Sequence, residues 1–365
     1  MTDPGSGPRT EAAPSAVPPP TGRWCLGTRL LVGATVGWIA FLTAHVLLSG
    51  RWWPWLVPEA LPPLTLLLVP LLLLALVPLA RPVRRRLAPV LVLALLAGIP
   101  LAGLTGGALP TGQVSPGDLK VFVWNTYYWG TDDDPDDFYA YLRSQRADVY
   151  LLQEYLHWQA DGPVRIDDTE RLRREFPGYR LVVEGELITL TRMPVVATHA
   201  RPTGGSGTDW YTRGKKAQRT DIAYGGQTLS LYNVHMQVPY RADRTPFSAD
   251  FHRFMRDQHA LRRAELEALR ADLAANPHPA LVAGDFNTPW VHGVVRLGPG
   301  LHRQDPDTGL APPLTWPVAK YGLPRVWRLD WVFTTADVSV TSHRLVGAEG
   351  LSDHLAMELR ISVEP

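Results

Sequence analysis

Leu281-Val282-Ala283-Gly284-Asp285-Phe286-Asn287-Thr288-Pro289-Trp290 decides how this chain is read. Its apolar start predicts a buried strand, and the glycine ends the run by allowing a tight backbone turn. Asp285 and Asn287 follow two residues apart. A strand period of two points them to the same side, an anion beside a neutral amide. A carboxylate takes a proton from water or holds a metal, and the amide orients a phosphate or that water without adding repulsion. The same residue types also cap helices and make turns, so the other polar clusters decide the meaning.

Those clusters recur at the ends of apolar runs. Asn125 follows Val121 to Trp124, Glu154 follows Val149 to Gln153, and His235 follows Leu231 to Val234. Asp330 lies in Arg328 to Phe333, and Asp353 and His354 close Leu351-Ser352-Asp353-His354. Each residue alone has an ordinary explanation as a turn, a cap or a packed side chain. Their repetition at strand ends, where a rigid scaffold displays functional groups, points to one site. Several carboxylates, two imidazoles and two amides suit metal-assisted attack on phosphorus: the metal neutralises phosphate charge, a carboxylate activates water, and imidazoles stabilise the oxyanion or protonate the leaving group.

The order Asn125, Gln153-Glu154, Asn233-x-His235, Gly284-Asp285-Phe286-Asn287, Asp330-Trp331-Val332-Phe333, Ser352-Asp353-His354 resembles the endonuclease/exonuclease/phosphatase superfamily, over roughly residues 119 to 362. Gly185 to Val195 also resembles that family's strand ending in Ser-Arg-x-Pro, with Thr191 in place of Ser. The resemblance implies a fold of two packed mixed β-sheets flanked by helices, the four-layer DNase I-like sandwich. It implies a divalent-metal site at Glu154 helped by Asn125 and Asp353, with Mg2+ or Mn2+ as cofactor. Asp285 is then expected to position or deprotonate the attacking water, and Asn287 to hold a phosphate oxygen. His235 and His354 flank the phosphorus, and Asp330 orients His354. His235 places the chain nearer the DNase I-like and phosphodiesterase branches than the abasic-site nucleases.

Upstream the sequence changes character. Residues 1 to 23 are rich in Pro, Gly, Ser and Thr and read as a disordered tail. Apolar stretches at Leu30 to Leu48, Leu61 to Ala80 and Leu87 to Leu104 each approach the ~20 residues of a bilayer-crossing helix, so 24 to 108 reads as a membrane domain of three transmembrane helices. Trp52, Trp53 and Trp55 fit an aromatic belt. Arg9, Arg23 and Arg29 precede the first stretch, Arg51 alone follows it, and Arg81, Arg84, Arg85 and Arg86 separate the second and third. Positive charge stays inside, which predicts a multi-pass protein of the cell membrane with a cytoplasmic N-terminus and an extracytoplasmic catalytic domain. Residues 109 to 117 read as a linker and 118 to 365 as that domain. Those spans contain almost no ionisable group apart from His45, which argues against a transport path.

The formal net charge of +1 averages the two parts and singles out no partner. The lone cysteine, Cys25, rules out a disulfide framework or a cysteine metal site, so oxygen and imidazole must hold any cation. Arg219, in the basic stretch with Arg213, Lys215 and Lys216, is expected to contact a nucleic acid backbone or an acidic phospholipid headgroup, and Trp290 to stack on a base or enter lipid. The reading is a membrane-anchored phosphodiesterase, nuclease-like. A lipid, inositol or sugar phosphate phosphatase, a sphingomyelinase-like enzyme and an inactive binding module are its rivals.

Overall fold

A computed structural model describes residues 24–103, 114–200, 207–240, 245–289, 297–309, 311–317, 324–348 and 350–364. The expected tail, most of the linker and Trp290 lie outside the described residues. Fourteen strands build the larger part: β1 (Leu119–Asn125), β2 (Val149–Gln153), β3 (Leu156–Gln159), β4 (Gly162–Arg165), β5 (Arg180–Glu184), β6 (Leu187–Thr191), β7 (Val195–Thr198), β8 (Ala217–Tyr224), β9 (Gln227–His235), β10 (Ala280–Asp285), β11 (Leu301–Gln304), β12 (Asp330–Thr335), β13 (Val338–Val346) and β14 (Ala356–Val363). Two six-stranded sheets result, in the orders β13-β14-β1-β2-β6-β5 and β11-β12-β10-β9-β8-β7, and β3 and β4 form a small ribbon.

Side-chain alternation explains the layers. Val121 and Val123 on β1 face Leu229, Leu231, Leu281, Ala283 and Val332 of the other sheet in a fully enclosed core. Burying one such aliphatic side chain contributes about 1.5–3 kcal/mol. The alternate residues, Phe122 and Trp124, pack outward with Tyr150 and Leu152 against Phe138, Leu142 and Leu172, which come from the helices Pro135–Ser144 and Thr169–Glu175. On the other side Tyr232, Val282 and Phe333 pack under Leu266 and Leu269 of the long helix Ala249–Ala275. The expected four-layer α+β sandwich is present.

The same alternation aims the polar strand ends. Asn125 continues the row of Val121 and Val123, His235 that of Leu229 and Leu231, and Asp285 that of Leu281 and Ala283. β1 runs parallel to β2 and β9 parallel to β10, so all four strands end at one edge of the sandwich. Asp285 stands opposite His235 on one side and Asp330 on the other. Just below, Gln153 Nε2 donates to Asn233 Oδ1 at 2.6 Å, and Asn233 Nδ2 donates to Leu152 and Ile188 carbonyls, which pins the two sheets together. Gly284 allows the close approach: its φ is 144°, and a Cβ there would stand 2.0 Å from the Val234 carbonyl oxygen.

The N-terminal part departs from expectation. Only Leu26–Leu48, of 23 residues and mean hydropathy 1.9, is long and apolar enough to cross a membrane among the described residues. The second apolar stretch yields a helix at Thr65–Leu76 with a 3-10 turn to Leu79, because Pro62, Pro63 and Pro78 remove amide donors at its two ends. The third yields Arg84–Leu101, whose first turn is three arginines, so its apolar length is short. Three helices therefore become one full-length candidate span. All three pack together, most tightly where a Cβ on Gly98 would meet the Leu66 carbonyl oxygen at 2.6 Å.

Candidate functional site

Asp285 is the hub of the strand-end cluster. Its Oδ2 accepts from Asn125 Nδ2 at 3.0 Å and lies 3.7 Å from His235 Nε2 and 3.6 Å from His354 Nε2. Each imidazole carries a carboxylate on its other nitrogen: Asp330 Oδ2 stands 2.9 Å from His354 Nδ1, and Glu186 Oε2 stands 3.1 Å from His235 Nδ1. Glu186 is in turn paired with Lys216, and both are almost fully buried. Asn125 also donates to Glu154 Oε1 at 3.1 Å, and the backbone N–H of Tyr128 donates to Glu154 Oε2 at 2.9 Å. Trp316 Nε1 donates to Asp353 Oδ2 at 2.8 Å, and Asp353 Oδ1 lies 3.9 Å from His354 Nε2. Ser352 donates to the Asn125 carbonyl and accepts the His354 N–H, tying the last loop to β1.

Backbone strain collects here. Tyr127, Tyr128, Trp129, Glu154 and Asn287 all have φ between 47° and 62°, which non-glycine residues adopt rarely and which persists where surrounding contacts over-determine it. Asn287 reaches its place through this turn, whereas strand periodicity was the basis of the expectation. Its N–H donates to Asp285 Oδ1 at 2.7 Å, while its Nδ2 donates to Asp285 Oδ2 at 3.2 Å and to the Met236 carbonyl at 2.9 Å. The backbone N–H and one side-chain amide hydrogen thus orient Asp285, and the other amide hydrogen is held by Met236.

Charge and burial set the protonation states. Burial is the largest influence on Glu154; His235 opposes it, Asp353 and Glu186 add to it, and the carboxyl is pushed up to about 7. Burial also raises Asp285, only partly countered by His354 and His235. Burial opposes charge on His235, but Glu186, Asp285 and Glu154 outweigh it and raise its pKa. His354 is raised well above the ordinary histidine value against the same opposition, through Asp330 and Asp285. Both imidazoles are thus pushed towards the charged form beside a crowded group of carboxylates.

Among the described residues, Asp285, Asp330 and His354 bring ligand atoms within 4.8 Å of one another. His354 Nδ1 already faces Asp330 at 2.9 Å, which leaves only the Nε2 of that ring towards a cation. Glu154 and Asp353 supply carboxylate oxygens that keep lone pairs beyond the N–H bonds they accept, and Asn125 turns its amide nitrogen, not its oxygen, towards Glu154, since Asn125 Oδ1 accepts the Tyr127 N–H at 3.1 Å.

Eight of the expected residues meet at this edge: Asn125, Glu154, His235, Asp285, Asn287, Asp330, Asp353 and His354. Arg219 does not. It lies on β8, pointing at the long helix, where its guanidinium binds Asp221 and, at 2.8 Å each, Asp272 and Asn276. A buried guanidinium must be paired, and these carboxylates hold it away from the cluster. Sequence reasoning missed Glu186, Lys216 and Trp316, whose partners come from distant segments. It also missed Arg262, which is buried and donates to the Gln237 and Phe286 carbonyls and to Thr288 Oγ1.

The endonuclease/exonuclease/phosphatase family model matches residues 122–354. The chain belongs to that family, and it is on that membership a phosphoric ester hydrolase. No curated protein matches the sequence. Solved structures of similar fold include a humanised D. rerio TDP2 (16% identity, 68% of this chain and 100% of that one, TM-score 0.49), the 3′ phosphatase NExo from Neisseria bound to product DNA hairpin (15%, 67% and 99%, TM-score 0.47) and beta toxin from Staphylococcus aureus (17%, 66% and 99%, TM-score 0.43).

Proposed function

We propose that this chain is a membrane-anchored phosphodiesterase that hydrolyses a P–O ester bond with water and a divalent cation. The observation that carries the reading is Asp285 Oδ2 set between the Nε2 atoms of His235 and His354, with Glu186 and Asp330 behind the two rings. Asp285 accepts a proton from the attacking water, Asn287 and Asn125 fix its two oxygens, and the imidazoliums donate to the developing oxyanion and the leaving oxygen. Asn287 serves first as a positioning residue for Asp285, because both its N–H bonds are in use.

The donor set fits a hard cation such as Mg2+ or Mn2+. Glu154 is hard to ionise beside Asp353 and Glu186, and a dication held by Glu154 and Asp353 relieves that repulsion. When bound, it neutralises phosphate charge. Anchoring is supported by the first helix, only 22% buried, and by outward-facing Leu30, Leu72 and Leu93, each more than 60% exposed. With Leu26–Leu48 as the one full-length span among the described residues, Arg51, Arg81 and Arg84 to Arg86 fall on the same side as the sandwich, so the arginine distribution no longer assigns it to the extracytoplasmic side.

The test is hydrolysis of bis-p-nitrophenyl phosphate by the full chain in detergent, with Mg2+, Mn2+ or EDTA, beside Glu154→Gln. Turnover that needs a cation and falls at least ~100-fold in the variant is expected; equal turnover in EDTA overturns the reading.

A further inference from the structure

This inference rests on the phosphodiesterase reading and names its substrate class. The segment that leaves the first apolar helix does not stand clear of the sandwich. Leu56, 3% exposed, packs on Phe251 and Met255 at the start of the long helix, and Trp53 meets His252 edge-on at 5.9 Å. The Leu56 carbonyl accepts from Tyr240 Oη at 2.8 Å, and the Ala60 carbonyl accepts from Trp327 Nε1 at 3.1 Å. Tyr240 and Trp327 are themselves walls of a cavity of about 360 Å³ whose floor is Glu154, Asp285, Asp353 and His354, and Ala60 lines it too. The end of the apolar helix and the mouth of the reactive cleft are thus the same place. A helix that ends at the headgroup level sets the cleft there as well.

The walls fit that location. Tyr127, Val238, Tyr240, Trp316, Trp327 and Leu329 surround the carboxylates with aromatic and aliphatic surface. Of the four basic side chains in the stretch expected to meet a polyanion, three are held elsewhere, Lys215 by Glu184 at 3.2 Å, Lys216 by Glu186, and Arg219 by Asp221 and Asp272, while Arg213 stays exposed 3.8 Å from Asp209. Binding along a nucleic acid draws on unpaired Lys and Arg, whereas an apolar wall above a single phosphate subsite matches a ligand with one charged and one greasy part.

We infer that the substrate is an amphiphilic phosphodiester taken from the bilayer, its apolar part lying along the Trp316, Trp327 and Tyr240 wall and its phosphate over Asp285. Water forms the new bond to phosphorus, one P–O ester bond breaks, the departing alcohol takes a proton, and the other ester remains as a phosphomonoester. Ala60, though part of the anchor segment, is then part of the binding surface.

The full chain is reconstituted in vesicles of equal parts phosphatidylcholine and phosphatidylglycerol. Release of phosphomonoester from the lipids is compared with hydrolysis of soluble glycerophosphocholine, of bis-p-nitrophenyl phosphate and of single-stranded DNA. The inference expects at least a tenfold higher kcat/KM for a vesicle lipid than for the soluble diester of the same headgroup. It also expects Ala60→Glu and, separately, Trp327→Ala to lower the ratio of lipid to bis-p-nitrophenyl phosphate turnover at least tenfold. Cation-dependent cleavage of bis-p-nitrophenyl phosphate with no preference for lipid, or with preference for DNA, overturns the inference and leaves the phosphodiesterase reading standing. No cleavage of any diester overturns both.

Discussion

Glu186 stands 3.1 Å behind His235 as Asp330 stands 2.9 Å behind His354, so two carboxylate–imidazole pairs face one another across Asp285. Each pair bridges the two sheets: Glu186 precedes β6 in one sheet and His235 ends β9 in the other, while His354 precedes β14 in the first sheet and Asp330 opens β12 in the second. The Asp330 hydrogen bond fixes the His354 ring, and the two carboxylates favour the charged form of both imidazoles.

Asp330→Asn keeps the shape and removes the charge behind His354. Because Asp330 raises the His354 pKa, the histidine of the variant loses its proton at lower pH. The alkaline limb of the kcat/KM profile is expected to move to lower pH, with kcat falling ~10²–10⁴-fold. A uniform loss with an unmoved alkaline limb contradicts the assignment.

Glu154 couples cation binding to pH. With its carboxyl at about 7, a cation must displace a proton at pH 6 but not at pH 8, so Mg2+ affinity is expected to rise through neutrality. The sign for stability is opposite. A carboxyl raised in the fold contributes stability below its unfolded value and loses it as pH rises through about 7, so Glu154→Gln is expected to stabilise the EDTA-treated protein at pH 8 by on the order of 1–3 kcal/mol. Isothermal titration at three pH values and thermal unfolding check the two halves.

His343 reports on acid stability far from the cleft. Burial, with Arg328 adding to it, holds its pKa near about 3, so the folded chain keeps it neutral while the unfolded chain protonates it below about 6.5. Its contribution is whole above about 6.5 and is lost as pH falls towards 3. The stability difference between His343→Phe and wild type is expected to move in favour of the variant by about 1.4 kcal/mol per pH unit between pH 6 and 4. A pH-independent difference rejects a buried neutral imidazole.

Gly284→Ala puts a methyl 2.0 Å from the Val234 carbonyl at a φ of 144°, so one of two central strands must shift. A loss above ~3 kcal/mol is expected in denaturant unfolding. A loss under ~1 kcal/mol contradicts the close approach of β9 and β10.

Much of this was legible in the sequence because apolar rows ending in one polar residue are a local pattern. The apolar runs at Val121 to Trp124, Val149 to Gln153, Leu231 to Val234 and Leu281 to Ala283 all lie in strands, and eight site residues converge at their ends. β8 escaped because Gln218, Arg219 and Asp221 are buried as hydrogen-bonded and ion-paired groups, which hydropathy reads as a loop. Glu186 escaped for a related reason: nothing near it in the chain signals His235 or Lys216. Asn287 reaches Asp285 through a left-handed turn in place of the strand periodicity expected. The three apolar stretches were right as helices and too long as spans, since Pro62, Pro63 and Arg84 to Arg86 truncate two of them.

The most direct measurement is the turnover of bis-p-nitrophenyl phosphate by the full chain with saturating Mg2+, wild type beside Asp285→Asn, both checked for folding by thermal unfolding. The account predicts that the variant unfolds at or above the wild-type temperature and loses at least ~1,000-fold in kcat. A folded Asp285→Asn protein that turns over within threefold of wild type would contradict it.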